Sequence, residues 1–235
     1  GHTFADEIDK QPSNWQNLEM RIDERCHSLQ DLLRLGIHIG DFIAVDAQPD
    51  IMENGFIVSR HLDDKAGVAV LLGAMKAVMD AGVELPVDCH PLFTISEEVG
   101  SGASAVLHGD VSEMLTLDNG TTAPGQNSSE YGVTLCMADM SGPFDYHLTH
   151  RMLQICQEFE IPHQRDIFRY YRSDSAAAVE AGNDLRTALA TFGVDASHGW
   201  ERIHWNALES LAQLVAVYMQ SPPLFERDRA VDVND

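Results

Sequence analysis

Three acidic corners and one histidine carry most of the chemistry that can be read from this sequence. His61-Leu62-Asp63-Asp64-Lys65-Ala66-Gly67 places two carboxylates between an apparent strand, residues 55–59, and a long apolar helix. Leu92-Phe93-Thr94-Ile95-Ser96, an apolar run of strand character, ends in Glu97-Glu98-Val99-Gly100-Ser101-Gly102. Met114 to Leu117 ends in Asp118-Asn119-Gly120, and a last strand, Thr187 to Val194, leads to Ser197-His198. Each corner follows the carboxyl end of a strand, the edge where open α/β sheets gather ligands. Carboxylates with an imidazole are the donor mix of a hydrolytic zinc, cobalt or manganese site. In such sites two ions roughly 3.5 to 4 Å apart share a carboxylate and a water and clamp the reacting carbonyl. Neighbouring residues at a strand end point to different sides, so one glutamate of the pair Glu97-Glu98 can bind metal while the other moves protons. Acid–acid pairs are also common on solvated surfaces, so spacing alone leaves both readings open.

Bulk composition narrows the field. The 235 residues suffice for one large domain, or one domain with part of another. Hydrophobic residues make up 44% and charged residues 22%, the balance of a folded globular chain. With 37 acidic against 15 basic residues the net charge is -22, which disfavours nucleic acid and anionic membranes as partners and suits divalent cations. No run has the apolar length of a bilayer span, and the opening residues lack a secretory signal pattern, so a soluble cytoplasmic protein is expected. Cys26, Cys89, Cys136 and Cys156 lack paired spacing and read as free thiols.

The elements that must position the corners follow from periodicity. Leu18 to Asp23 alternates like a half-buried strand, Ser28 to Leu35 reads as a helix, and Gly36 to Asp46 as a turn feeding an apolar strand, which makes the opening β-rich. Val68, Leu71, Leu72, Met75, Val78 and Met79 recur at helical spacing up to a C-capping Gly82. Gly102 to Leu107 reads as a short helix, Thr121 to Glu130 as a loop, Gly132 to Ala138 as a strand, and Asp145 to Glu160 as a helix with Leu148, Met152, Leu153, Cys156 and Phe159 inward. A strand near Ile167 to Tyr170 precedes a small-residue helix capped by Ser173 or Asp174, and an amphipathic helix from Asn206 to Met219 closes the chain before a tail. Strands alternating with helices predict an α/β fold: a mixed, largely parallel sheet flanked by helices.

The motifs His61–Gly67, Ser96–Ala103, Leu117-Asp118-Asn119, Arg172–Ala176 and Ser197-His198 together resemble, in order, the motif set of peptidase family M42, the dimetal aminopeptidases related to the M20 and M28 enzymes. The similarity runs from about Gly36 to Met219. The wording of Tyr171–Asp174 and Ala196–Arg202 is similar to the M42 branch associated with synthesis of the osmoprotectant N-acetylglutaminylglutamine amide. The resemblance implies a zinc-exopeptidase-like fold and two divalent ions, zinc or cobalt. It implies that Asp63 bridges the ions, Glu98 and His198 complete the first site, Asp118 serves the second, and Glu97 is the general base. Asp64 either orients Lys65 or caps the helix; Ser173 and Asp174 either touch substrate or cap theirs. His204 is the rival of His198 as ligand. His90, His147, His150 and His163 read as structural or solvated, Trp200 and Trp205 as core or interface, and Gly100 and Gly102 as letting backbone approach the site.

The family also supplies a ligand from an early His-x-Asp motif. None precedes Asp63, and His2 and Asp6 are spaced wrongly. Gly1 to Ile8 resembles the latter part of a small β domain inserted in the family's catalytic domain, and it starts without an initiator Met. Residues 1–49 are therefore expected to be the remnant of that domain, 50–221 the catalytic domain lacking its first part, and 222–235 a tail. The second metal site is expected to be incomplete and activity weak or absent. The substrate implied is a short peptide, cleaved by an aminopeptidase, or an N-acyl amino acid or dipeptide, cleaved by an M20-like deacylase. A homo-oligomer is expected, and a metal-poor assembly subunit is the reading from another class.

Overall fold

The structure, a computed structural model, describes residues 5–8 and 10–228. The chain divides into two compact units, Gly1–Val45 and Asp46–Asp235. His2 and the opening run to Phe4 lie outside the described residues, as do residues 229–235.

The first unit holds helices α1 (Ala5–Ile8) and α2 (Leu29–Arg34) and a 3-10 turn at Trp15–Asn17. Ser28 caps α2: its hydroxyl accepts from the Asp31 amide at 3.3 Å, while Asp31 accepts from the Ser28 hydroxyl and the His27 amide. The expected strands at Leu18–Asp23 and 41–46 do not form, and no described strand precedes Asp50, so the β-rich reading is corrected here. Alternation supplies a face, but a strand also needs a ladder partner for its backbone. Leu18, Met20, Phe42 and Ile43 stay exposed instead.

The second unit contains β1 (Asp50–Ile51), β2 (Phe56–Ser59), α3 (Leu62–Ala81), β3 (Glu113–Thr121), β4 (Val133–Asp139), β5 (Gly142–Pro143), α4 (Tyr146–Glu158), β6 (His163–Ile167), α5 (Asp174–Glu180), β7 (Arg186–Val194), β8 (Glu201–His204) and α6 (Trp205–Met219). The main sheet runs β3-β7-β4-β5, with β6 also on β4. Its long pairings, β3 with β7 and β4 with β6, are parallel; β4 meets β7 and β5 antiparallel. An antiparallel sheet, β1-β2-β8, stands beside it. Because β3 and β7 run the same way, Asp118 and the loop after Val194 emerge at one end of the sheet.

Alternation along β7 sorts the core. Ala188, Ala190, Phe192 and Val194 join the cluster formed by α3, α4 and α6, whereas Leu189 faces Cys136, Phe144 and Phe168 on the other side. Ala66, Val70, Ala74 and Val78 form the buried stripe of α3; Val68, Leu72 and Met79, expected to pack, are exposed. In α4 Leu148, Met152, Leu153 and Cys156 are buried as expected, with Thr149 and Ile155 besides, whereas Phe159 lies past the last turn and is exposed. Burial pushes the Cys136 and Cys156 thiols up to about 12, and all four cysteines are free.

Leu92–Ser96 is irregular rather than a strand, with Phe93 and Ile95 exposed and no ladder formed. Residues 102–107 form no helix, since a Gly/Ser-rich start gives little helical preference. The strand expected at Ile167–Tyr170 lies earlier, at His163–Ile167, where it can pair with β4. Residues 222–228 are no free tail: the Leu224 amide donates to Glu113 at 2.6 Å, and Arg186 pairs with Asp228 at 2.6 Å. Among the described residues no helix is long and apolar enough to cross a membrane.

Candidate active site

The three corners and the histidine loop meet in one cavity of about 360 Å³. Asp63 leaves β2 at the mouth of α3, where His61 adopts a left-handed φ of 63° and turns the chain. Regular helix starts only after Asp64, which caps it: the Asp64 carboxylate accepts the backbone N–H of Gly67. Glu97 and Glu98 lie on a 3-10 turn, Glu97–Val99, closed by Gly100 at φ 82°. Asp118 lies inside β3, and its carboxylate accepts from the Asn119 amide at 2.6 Å.

The donor atoms of Asp63, Glu98 and His198 lie within 4.8 Å of one another, as do those of Asp63, Asp64 and Asp118, so Asp63 belongs to both groups. His198 Nε2 is 3.0 Å from Asp63 Oδ2 and 3.6 Å from Glu98 Oε2. Ser197 Oγ donates to the same Asp63 oxygen at 3.4 Å. His204 is held elsewhere: its Nδ1 accepts from the Asn206 amide, leaving Nε2–H to donate to the Asn54 carbonyl at 3.0 Å. Its ring packs between Phe56 and Tyr131. His147 and His150 pack on Tyr146, His163 bonds the Ile161 carbonyl and His90 lies on His108. Trp200 and Trp205 are exposed, with the Arg60 guanidinium 5.5 Å over Trp200.

The electrostatics follow from crowding. Burial, then the charges of Asp118 and Asp63, raise the Asp64 pKa well above the usual carboxylate range; burial and Asp63 do the same to Asp118. Burial, then Glu98, Asp174 and Asp63, bring Glu97 to about 7, against an opposing pull from His198. Glu98 is raised by burial and Asp63. Asp64 Oδ1 is buried without a hydrogen-bond partner. Crowded acids with an unsatisfied inward oxygen are what a cation would neutralise, and oxygens with an imidazole suit zinc, cobalt or manganese. Asp63, Glu98 and His198 fit one ion. Asp63 and Asp118, with Asp64 beside them, fit a second, although among the described residues no histidine joins that group.

Ser173 and Asp174 are buried at the start of α5, in the wall of the cavity. Ser173 makes no side-chain cap. Asp174 Oδ1 accepts from the Ala103 amide at 2.7 Å and so braces the far side of the Glu97 turn; a Cβ at Gly102 would lie 2.6 Å from its carboxylate. Periodicity gave no signal for this role, nor for two further residues. Tyr171 faces Asp118, whose charge together with burial raises the phenol's pKa well above normal. Glu201 is 1% exposed and accepts from the backbone amides of both Asp63 and His198, at 3.0 and 2.9 Å.

Residues 1–214 match the sequence profile of M42 glutamyl aminopeptidases. YhfE of Bacillus subtilis (strain 168), which bears an aminopeptidase name, is 39% identical over 221 residues, covering 94% of this chain and 64% of its own length. Aminopeptidase APDkam598 from the archaeon Desulfurococcus kamchatkensis shares the fold at TM-score 0.73 and 19% identity, over 89% of this chain and 62% of that one. The Pyrococcus horikoshii TET1 peptidase does so at TM-score 0.70 and 22% identity, over 81% and 57%. The chain thus spans less than two thirds of the length of these relatives. With the profile covering nearly the whole sequence and the ordered acid and histidine motifs gathered in one cavity, the chain belongs to the M42 glutamyl aminopeptidase family.

Proposed function

We propose that this chain carries the catalytic site of a metal-dependent aminopeptidase that hydrolyses the N-terminal bond of short peptides. The observation that supports it best is the sharing of Asp63 between two donor groups directly beside Glu97. Asp63, Glu98 and His198 would hold one divalent ion, zinc or cobalt, and Asp63 with Asp118 a second. When bound, such ions supply Lewis acidity and lower the pKa of water. Glu97, beside both donor groups, is placed to take a proton from the attacking water and return it to the departing amine. In the balance of the reaction a C–O bond forms, the C–N bond breaks and the proton ends on the leaving nitrogen. Asp174 holds the turn that aims Glu97, and the cavity of about 360 Å³ suits a small substrate.

The four free cysteines fit a cytoplasmic setting, and the TET1 relative, described as assembling into a tetrahedron or an octahedral shell, supports a homo-oligomer. The finer likeness to the osmoprotectant branch makes N-acyl dipeptides the substrates to compare. A second reading, a non-catalytic assembly subunit, is favoured by one observation: the Asp63, Asp64 and Asp118 group has no histidine among the described residues.

The test is hydrolysis of free dipeptides and of their N-acetylated counterparts by the cobalt-loaded chain, alone and with Glu97→Gln, with the products separated so that cleavage of the peptide bond and of the acetyl amide are told apart. Cleavage of the free-amine series, lost in the variant, supports the aminopeptidase. Preference for the acetylated series moves the assignment to a deacylase, and cobalt uptake without cleavage of either favours the assembly subunit.

A further inference from the structure

We propose that Glu201 is a positioning residue: its buried carboxylate fixes the backbones of Asp63 and His198 from behind, so that their side chains stand ready as one cation site. The inference rests on the metal-site reading above. Glu201 opens β8 opposite Ser59, the last residue of β2, where the chain leaves the antiparallel sheet for α3. Its Oε2 accepts from the Asp63 amide at 3.0 Å, across 138 positions of sequence, and its Oε1 accepts from the His198 amide at 2.9 Å, three residues back. One side chain thus ties together two candidate ligands from opposite ends of the unit.

The side chain is 1% exposed, and among the described residues no Lys or Arg ion-pairs with it. Burying a carboxylate without a cation is unfavourable unless hydrogen bonds compensate, and here both oxygens are spent on those two N–H groups. The bonds also hold a backbone that would not hold itself. Ala196 and His198 both adopt left-handed φ values, 57° and 64°, in a region non-glycine residues rarely occupy. The β7–β8 connection that carries them is closed by the Asp195–Arg202 bridge, so Glu201 sits at its base and faces inward. Only a glutamate serves both donors. Glutamine would turn its own N–H toward one of them, and aspartate is one methylene too short to span the pair.

The experiment titrates the metal-stripped chain with cobalt, read by its visible absorption, in the wild type, Glu201→Gln, Glu201→Asp and Ile203→Val. Ile203 is fully buried on the same strand and controls for general loosening. Expected is a loss of cobalt affinity of about 10- to 100-fold in both Glu201 variants, the usual size for groups that orient metal ligands, with unchanged affinity but lower Tm in Ile203→Val. Wild-type affinity in either folded Glu201 variant, or equal weakening in Ile203→Val, overturns the proposal. A wild type that takes up no cobalt overturns the metal-site reading itself. Independently of any variant, the Asp63 and His198 amides of the wild-type protein are expected to exchange slowly with solvent, although the His198 side chain is 73% exposed. Fast exchange at both sinks the idea even if no variant folds.

Discussion

Replacing Asp118 by asparagine is expected to make the metal-free protein more stable and the metal-saturated protein less so. The oxygens of Asp63, Asp64 and Asp118 lie within 4.8 Å of one another, and at an effective dielectric of about 20 each pair of charges at that separation costs about 3.5 kcal/mol. The fold limits this by binding a proton more tightly than an ordinary aspartate would. Asparagine removes one charge and keeps the Oδ1 that accepts from Asn119 at 2.6 Å. Allowing for relaxation, the gain in chelator at pH 7.5 is about 2 to 3 kcal/mol, or about 5 to 10 °C in Tm for a chain of this size. Because the folded-state pKa values of Asp64 and Asp118 are raised, the folded state binds the extra proton. The stability this contributes is complete below about pH 4 and is lost as pH rises. The Asp118→Asn advantage therefore vanishes below about pH 4. With cobalt at about a thousand times its Kd the wild type gains about 4 kcal/mol, and the order reverses. Thermal unfolding across pH, with chelator and with cobalt, is the assay. A variant less stable than wild type in chelator at pH 7.5, or a difference that does not change with pH, refutes the reasoning.

Glu97→Gln is expected to lower kcat by about 10²- to 10⁴-fold while cobalt uptake is kept, measured by turnover and absorption on the same samples. Asp174→Ala leaves the buried Ala103 amide without its acceptor and is expected to cost about 1 to 3 kcal/mol in denaturant unfolding, with a further drop in kcat as the Glu97 turn loosens. Leu211→Ala, at a fully buried position of α6, is expected to cost about 2 to 5 kcal/mol. Arg202→Ala removes half-exposed ion pairs with Glu130 and Asp195 and a stack over Phe56, and is expected to cost about 1 kcal/mol by the same measurement.

What the sequence made legible was local chemistry. Asp63, Glu98, Asp118 and His198 each follow an apolar run within a few residues, so their clustering could be expected before any contact was seen. Glu201 could not be found this way, because nothing in its residue type separates it from the many solvated acids of a chain with net charge -22. Its role is written in the backbone N–H of a residue 138 positions away. Asp174 was read as a substrate contact or a cap, and its actual partner, Ala103, lies 71 positions off. The strand β8 was missed because four residues, Glu201–His204, carry too little pattern, and their pairing with β2 is what makes them a strand. Leu92–Ser96 failed in the opposite sense: the apolar run was present, but no ladder accompanies it.

The donors come from two sheets. Asp63 is delivered from the β1-β2-β8 side, Asp118 and His198 from the ends of β3 and β7. Two cations that share Asp63, one held with His198 and the other with Asp118, would act as crosslinks between the sheets, so the spacing of the donors becomes a gauge of how the sheets sit. A core substitution that slides one sheet against the other by a fraction of an ångström would then be felt first as lost metal affinity, before any loss of fold.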